Sequence, residues 1–84
     1  MTNQFHVNIT TQDKVVYNAD AVSLVAPGEM GYLGVLAHHA PLIASLVPGK
    51  ITVRDAFGEA FSFKSTGSGF LEVSNNNAHL VLEV

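Results

Sequence analysis

Residues 50–64 read KITVRDAFGEAFSFK. In KITVR the apolar Ile51 and Val53 alternate with Lys50, Thr52 and Arg54, and in EAFSFK Phe61 and Phe63 alternate with Ser62 and Lys64. A period of two is the mark of a strand with one face buried, because successive side chains point to opposite faces. Between the runs, DAFG supplies turn residues at Asp55 and Gly58, so the segment reads as a β-hairpin with an apolar face.

The same period recurs on either side. In FHVNI, Phe5, Val7 and Ile9 alternate with His6 and Asn8, which places His6 on a wet face. GFLEV and AHLVLEV alternate around Asn75–Asn77, and consecutive asparagines tolerate the left-handed backbone of a tight turn. Leu71, Val73, Leu80, Leu82 and Val84 then face the core. Tyr17–Ala26 and Gly31–Leu36 add strand-like runs. APLIASL (Ala40–Leu46), lying between prolines, is too short for an independent helix and reads as a strand or an irregular connection. Eight to ten short strands at turn spacing predict an all-β fold of two antiparallel sheets packed face to face, in one domain over 1–84.

Composition narrows the function. A chain of 84 residues buries only about 60–65% of its unfolded surface, so its stability margin is small. It has no cysteine, which excludes disulfides, thiolate zinc sites and a cysteine nucleophile. Its start lacks the basic and apolar regions of a signal peptide, and no apolar run approaches the ~20 residues of a membrane span; the expectation is a soluble protein of a reducing compartment. Four Lys and Arg against seven carboxylates, a net charge of -3, argue against a nucleic-acid partner. Charged residues are 13% and hydrophobic residues 48% of the chain, an imbalance expected where apolar surface is covered by something else.

Candidate chemistry centres on His38 and His39. Adjacent residues of a strand face opposite ways, so the pair cannot chelate one ion from extended backbone, and no carboxylate lies within eight residues on either side. His6 and His79 read as solvated imidazoles. TGSGF lacks the first glycine of a nucleophile elbow, with Thr66 in its place, and PGKIT lacks the first glycine of a phosphate loop, with Ala44 there. The carboxylates are scattered singly, so no acid–base pair is visible. The residues predict neither catalysis nor a cofactor, and leave a binding or assembly role. The alternative is a free-standing small β-sandwich that binds a ligand or metal through His38 and His39.

The ordered run VAPGEMGYLGVLAHHAPLIASLVPGKITV, preceded by FHVNITTQDKVVYNADAVSLV and followed by GFLEVSNNNAHLVLEV, resembles the N-terminal domain of the epsilon subunit of F-type ATP synthases. The resemblance covers nearly the whole chain. It implies a flattened β-sandwich of about ten short strands and a non-catalytic rotor role in the central stalk. The implied partners are the gamma subunit and the c-ring, with membrane association only through the complex, on the side of the catalytic head, and with ion flow coupled to ATP synthesis. Carried over by position, Glu29, Met30, Gly31 and Tyr32 fall in the loop that meets the c-ring. Ile9, Thr10 and Thr11, with His39, Ala40, Pro41 and Leu42, fall where the family contacts gamma. Ala37 and His38 stand where members often have Pro and Gly, and Tyr32 replaces a frequent carboxylate. The helical hairpin that follows the domain in many members has no counterpart in these 84 residues, so its inhibitory and ATP-binding roles are not carried over.

Overall fold

The computed structural model describes residues 3–83, which form nine β-strands and no helix. They are β1 (Phe5–Thr11), β2 (Val15–Ala21), β3 (Ser23–Gly28), β4 (Gly31–Leu36), β5 (Leu42–Leu46), β6 (Gly49–Arg54), β7 (Ala60–Ser65), β8 (Gly69–Ser74) and β9 (Asn77–Leu82). One layer runs β2-β1-β9-β8-β5 and the other β4-β3-β6-β7; the two meet at a corner where Gly28 of β3 pairs with Leu46 of β5. The β-sandwich expected from alternation is present, with nine described strands.

One ladder departs from the expected antiparallel pattern. β1 and β9 run parallel, from His6 beside Asn77 to Thr11 beside Leu82. A parallel pair needs a long crossover, and here the whole intervening chain supplies it. Alternation within a strand carries no information on the direction of its neighbour. The run Tyr17–Ala26 is also not one strand: it breaks at Val22, whose N–H donates to the Arg54 carbonyl at 2.8 Å. β2 and β3 belong to different layers, and the chain crosses between them there.

The inward side chains of both layers form one core. Val7, Ile9, Leu71, Leu80 and Leu82 come from the five-stranded layer, and Leu24, Ala26, Val35, Ile51 and Val53 from the other, all at most 2% exposed. Each large aliphatic buried this way contributes about 1.5–3 kcal/mol relative to an exposed one. Phe61 and Phe63 are half-buried along the flank. Tyr17 of β2 meets Phe61 of β7 with ring centroids 5.1 Å apart, which joins the outermost strands of the two layers on the side away from the Gly28–Leu46 corner. Val84, expected to face the core, lies outside the described residues.

The turns follow their residues. Asn75 and Asn76 take φ of 49° and 59° between β8 and β9, as consecutive asparagines in a tight turn allow. The Asn76 side chain also accepts from the His38 N–H at 2.8 Å and donates to the Gln4 carbonyl at 2.9 Å, fastening three segments at one end of the sandwich. In TGSGF the second glycine has a packing reason: a Cβ on Gly69 would lie 2.2 Å from the Val81 carbonyl oxygen. On the far hairpin, Asp55 Oδ1 accepts from the N–H groups of Phe57 and Glu59, both at 2.9 Å.

Candidate docking surfaces

The first candidate surface is the β3–β4 hairpin. Glu29 and Met30 form a two-residue turn between the paired Gly28 and Gly31. Gly31 has φ 123°, a conformation closed to residues with a Cβ. A Cβ on Gly28 would sit 2.7 Å from the Gly31 carbonyl oxygen. The turn is held against β5 by the Glu29 N–H, which donates to the Ser45 carbonyl at 3.1 Å. Met30 is 99% exposed. An open cleft of about 310 Å³ lies between this turn, Leu33 and the Ile43–Ser45 stretch of β5.

Tyr32 behaves differently from the other three residues expected at the ring. Its hydroxyl accepts from the Lys50 N–H at 3.2 Å. β3 pairs with β6 only from Ser23 to Val25 before turning away toward β5, so the Lys50 N–H has no strand partner, and the Tyr32 hydroxyl satisfies it. The ring thus lies over its own sheet beside Pro27 and Gly49, although Tyr32 remains 60% exposed. Leu33 is half-buried against the core, and Leu36 is 64% exposed.

The second candidate surface is the outer face of the five-stranded layer. Residues directly opposite one another form a row across all five strands: Val15, Thr10, Val81, Phe70 and Ser45. The next row is Asn18, Asn8, His79, Glu72 and Ile43. Val15, Phe70, Val81 and Ile43 are between 44% and 75% exposed, so an apolar band crosses a sheet face that simple alternation would leave polar. The sequence reading missed Val15, Phe70 and Val81. Their signal was present in GFLEV and AHLVL, where Phe70 and Val81 occupy the wet phase of otherwise alternating strands.

The residues expected at gamma divide across this layer. Thr10 points outward in the apolar row and Thr11 lies at the strand end, both half-buried. Ile9 is a correction: it is 0% exposed and belongs to the core, because in β1 the odd-numbered apolar residues all point inward, so its side chain is unavailable to any partner. Leu42 is likewise turned inward, paired with the buried Val73. His39, Ala40 and Pro41 are exposed in the β4–β5 connection. Since β1 and β5 are three strands apart in the layer, about 14 Å at the usual spacing, the two groups flank one face rather than forming one cluster.

The histidine pair is split by its backbone. His38 sits at φ 64°, a left-handed position that costs a non-glycine residue about 1 kcal/mol. His39 Nδ1 donates to the Ala40 carbonyl at 2.6 Å. Among the described residues no three His, Cys, Asp or Glu side chains gather where one metal ion could be held. His6 does have partners: Asp20 Oδ1 lies 3.0 Å from Nδ1, and the Asn18 side-chain oxygen meets Nε2. The hydrogen bond to Asp20, then that to Asn18, raises the His6 pKa above its ordinary value against a smaller opposing effect of burial. Burial, reinforced by Asp55 and Asp20, raises the Tyr17 phenol above its ordinary pKa.

Comparison with known proteins accounts for this architecture. A family model described as the ATP synthase, Delta/Epsilon chain, beta-sandwich domain matches residues 4–83. The ATP synthase epsilon chain of Protochlamydia amoebophila is 42% identical over 79 residues, covering 94% of this chain and 53% of that protein. That of Dichelobacter nodosus is 35% identical, covering 99% of this chain and 57% of the relative. The chain therefore spans about half the length of these relatives. Among solved structures, a chain of the Euglena gracilis mitochondrial ATP synthase OSCP/F1/c-ring assembly superposes with a TM-score of 0.89 at 21% identity, over 98% of this chain and 52% of that one. A chain of the Tetrahymena thermophila mitochondrial ATP synthase central stalk/c-ring gives 0.77 at 19% identity, over 94% and 63%. These two likenesses establish the fold, and the family match over nearly every described residue establishes the kinship: this chain belongs to the β-sandwich domain family of ATP synthase delta/epsilon chains.

Proposed function

We propose that this domain is a non-catalytic rotor element of a proton-translocating F-type ATP synthase, set between the gamma subunit and the c-ring and peripheral to the membrane on the side of the catalytic head. The observation that carries the reading is family membership across residues 4–83, joined to two separate surfaces built for contact. The hairpin tip carries Glu29 and the fully exposed Met30 toward the ring, with Gly31 shaping the turn and Tyr32 bracing it. Glu29 pairs with a basic residue of a ring loop, and Met30 adds apolar area of the kind favoured at interface centres. The outer face of the five-stranded layer, with Phe70, Val81 and Ile43 exposed, with Thr10 in its apolar row and with His39, Ala40 and Pro41 along its border, faces gamma. Loss of His39 weakens that border.

A body that transmits torque must not bend. One close-packed core shared by two layers, closed at Gly28–Leu46 and at Tyr17–Phe61, has the low compressibility this needs. Capture by immobilised gamma, with and without the c-ring, tests the reading. Phe70→Asp with Val81→Asp is expected to abolish capture by gamma, whereas Glu29→Ala with Met30→Asp is expected to spare gamma and lose the ring. Capture of the first variant at the wild-type level, or retention of the ring by the second, overturns the assignment of the respective surface.

A further inference from the structure

Charge is sorted between the two outer faces of the sandwich. Three of the four basic residues, Lys50, Arg54 and Lys64, point outward from β6 and β7, where each is exposed. No outward position of β3, β4, β6 or β7 carries a carboxylate. The five-stranded layer is the reverse, with Asp20 and Glu72 outward and no Lys or Arg. Lys50 and Lys64 are directly opposite each other in the β6–β7 ladder, and like charges so placed destabilise a sheet. Among the described residues the one ion pair is His6 with Asp20, so none of this trio is held in a salt bridge, although Asp55 and Glu59 lie in the turn next to Arg54.

The rest of the face is complementary in kind. Arg54 stands four residues beyond Lys50 along β6, about 13 Å away at strand rise. Between them lies a flat floor formed by Gly34, Val25, Thr52 and Ser62, neighbours across four strands. On the β4 side the exposed side chains are Tyr32 and Leu36. One half of the surface is therefore apolar and the other basic.

We propose that the outer face of the four-stranded layer docks an acidic segment of a partner protein, one with carboxylates along one flank and apolar side chains along the other. The carboxylates meet Lys50, Lys64 and Arg54, and the apolar flank lies on Leu36 and the ring of Tyr32. Three cations, each worth about 1 kcal/mol near an anionic membrane, hold a lipid surface only weakly, whereas a peptide uses both halves of the face. This surface lies on the opposite side of the sandwich from the one assigned to gamma, and its test is independent of that assignment.

The probe is a fluorescein-labelled helical peptide with a leucine stripe flanked by glutamates, titrated with the chain and read by anisotropy beside a counterpart carrying lysines for glutamates. The acidic peptide is expected to bind more tightly than the basic one, with affinity falling as salt rises. Lys50→Gln with Lys64→Gln is expected to weaken it about tenfold, on the scale of two exposed ion pairs. Asn3→Asp with Gln12→Glu, which lowers net charge equally at exposed sites away from this face, is expected to leave it within about twofold. Folding of each variant is checked by its melting midpoint, which for Lys64→Gln is expected to rise by roughly 2 °C as the like-charge pair is relieved. Equal binding of the two peptides, equal weakening by the two double variants, or capture by phosphatidylglycerol vesicles without binding of the acidic peptide overturns the proposal.

Discussion

At the scale of single residues, the informative positions are those where backbone and side chain disagree. His38 holds a left-handed φ of 64° while its N–H bonds to Asn76. Both His38→Gly and His38→Ala remove the imidazole and keep that N–H, so their difference isolates the backbone: the glycine variant is expected to be more stable than the alanine variant by about 1 kcal/mol, measured by urea denaturation. Equal stabilities would mean that the loop relaxes out of this conformation. The position was legible in part, since the resemblance marks it as one where glycine is common. Tyr32 was not. A tyrosine in a hairpin reads as a contact residue, and nothing local to YLGVL says that its hydroxyl completes the bonding of Lys50, which is 18 residues away.

Elements show how strands are joined. β1 and β2 are antiparallel, with His6 directly opposite Asp20 and Asn8 opposite Asn18. His6 gains partners on folding, so its folded pKa lies above its unfolded value of about 6.5. A group raised in this way contributes stability that is full below the unfolded pKa and lost as pH rises through the folded pKa. The melting midpoint is therefore expected to fall relative to that of His6→Gln as pH increases from about 6 to 8. The difference is small because both partners are exposed, at 42% and 64%. A constant gap between the two proteins across this range would count against the pairing. Alternation in FHVNI put His6 on the wet face correctly, but the β2 partners could not be named without the register.

For the molecule as a whole, adjacent residues of one strand test which face is which. Leu80 is 0% exposed and Val81 is 44% exposed. Leu80→Ala is expected to cost about 2–5 kcal/mol in urea or thermal unfolding, a large share of the few to ~13 kcal/mol available to a domain of this size. Val81→Ala is expected to stay within about 0.5 kcal/mol of wild type, its effect falling instead on the docking proposed for that face. A stability loss at Val81 as large as that at Leu80 would contradict the assignment of its face as exterior.

The strands and the core were written in local order. Ile51, Val53, Leu71, Val73, Leu80 and Leu82 face inward as period two requires, since alternation is a property of neighbours along the chain. Which strands lie side by side is a property of pairs far apart in sequence, and only the tertiary structure decided it. The parallel β1–β9 ladder, the corner at Gly28–Leu46 and the rows that gather Val15, Val81 and Phe70 on one face depend on register. The gathering of Lys50, Arg54 and Lys64 on the opposite face has the same origin. Ile9 is the plainest case: family position marked it as a contact, and the pleat of β1 turned it into the core.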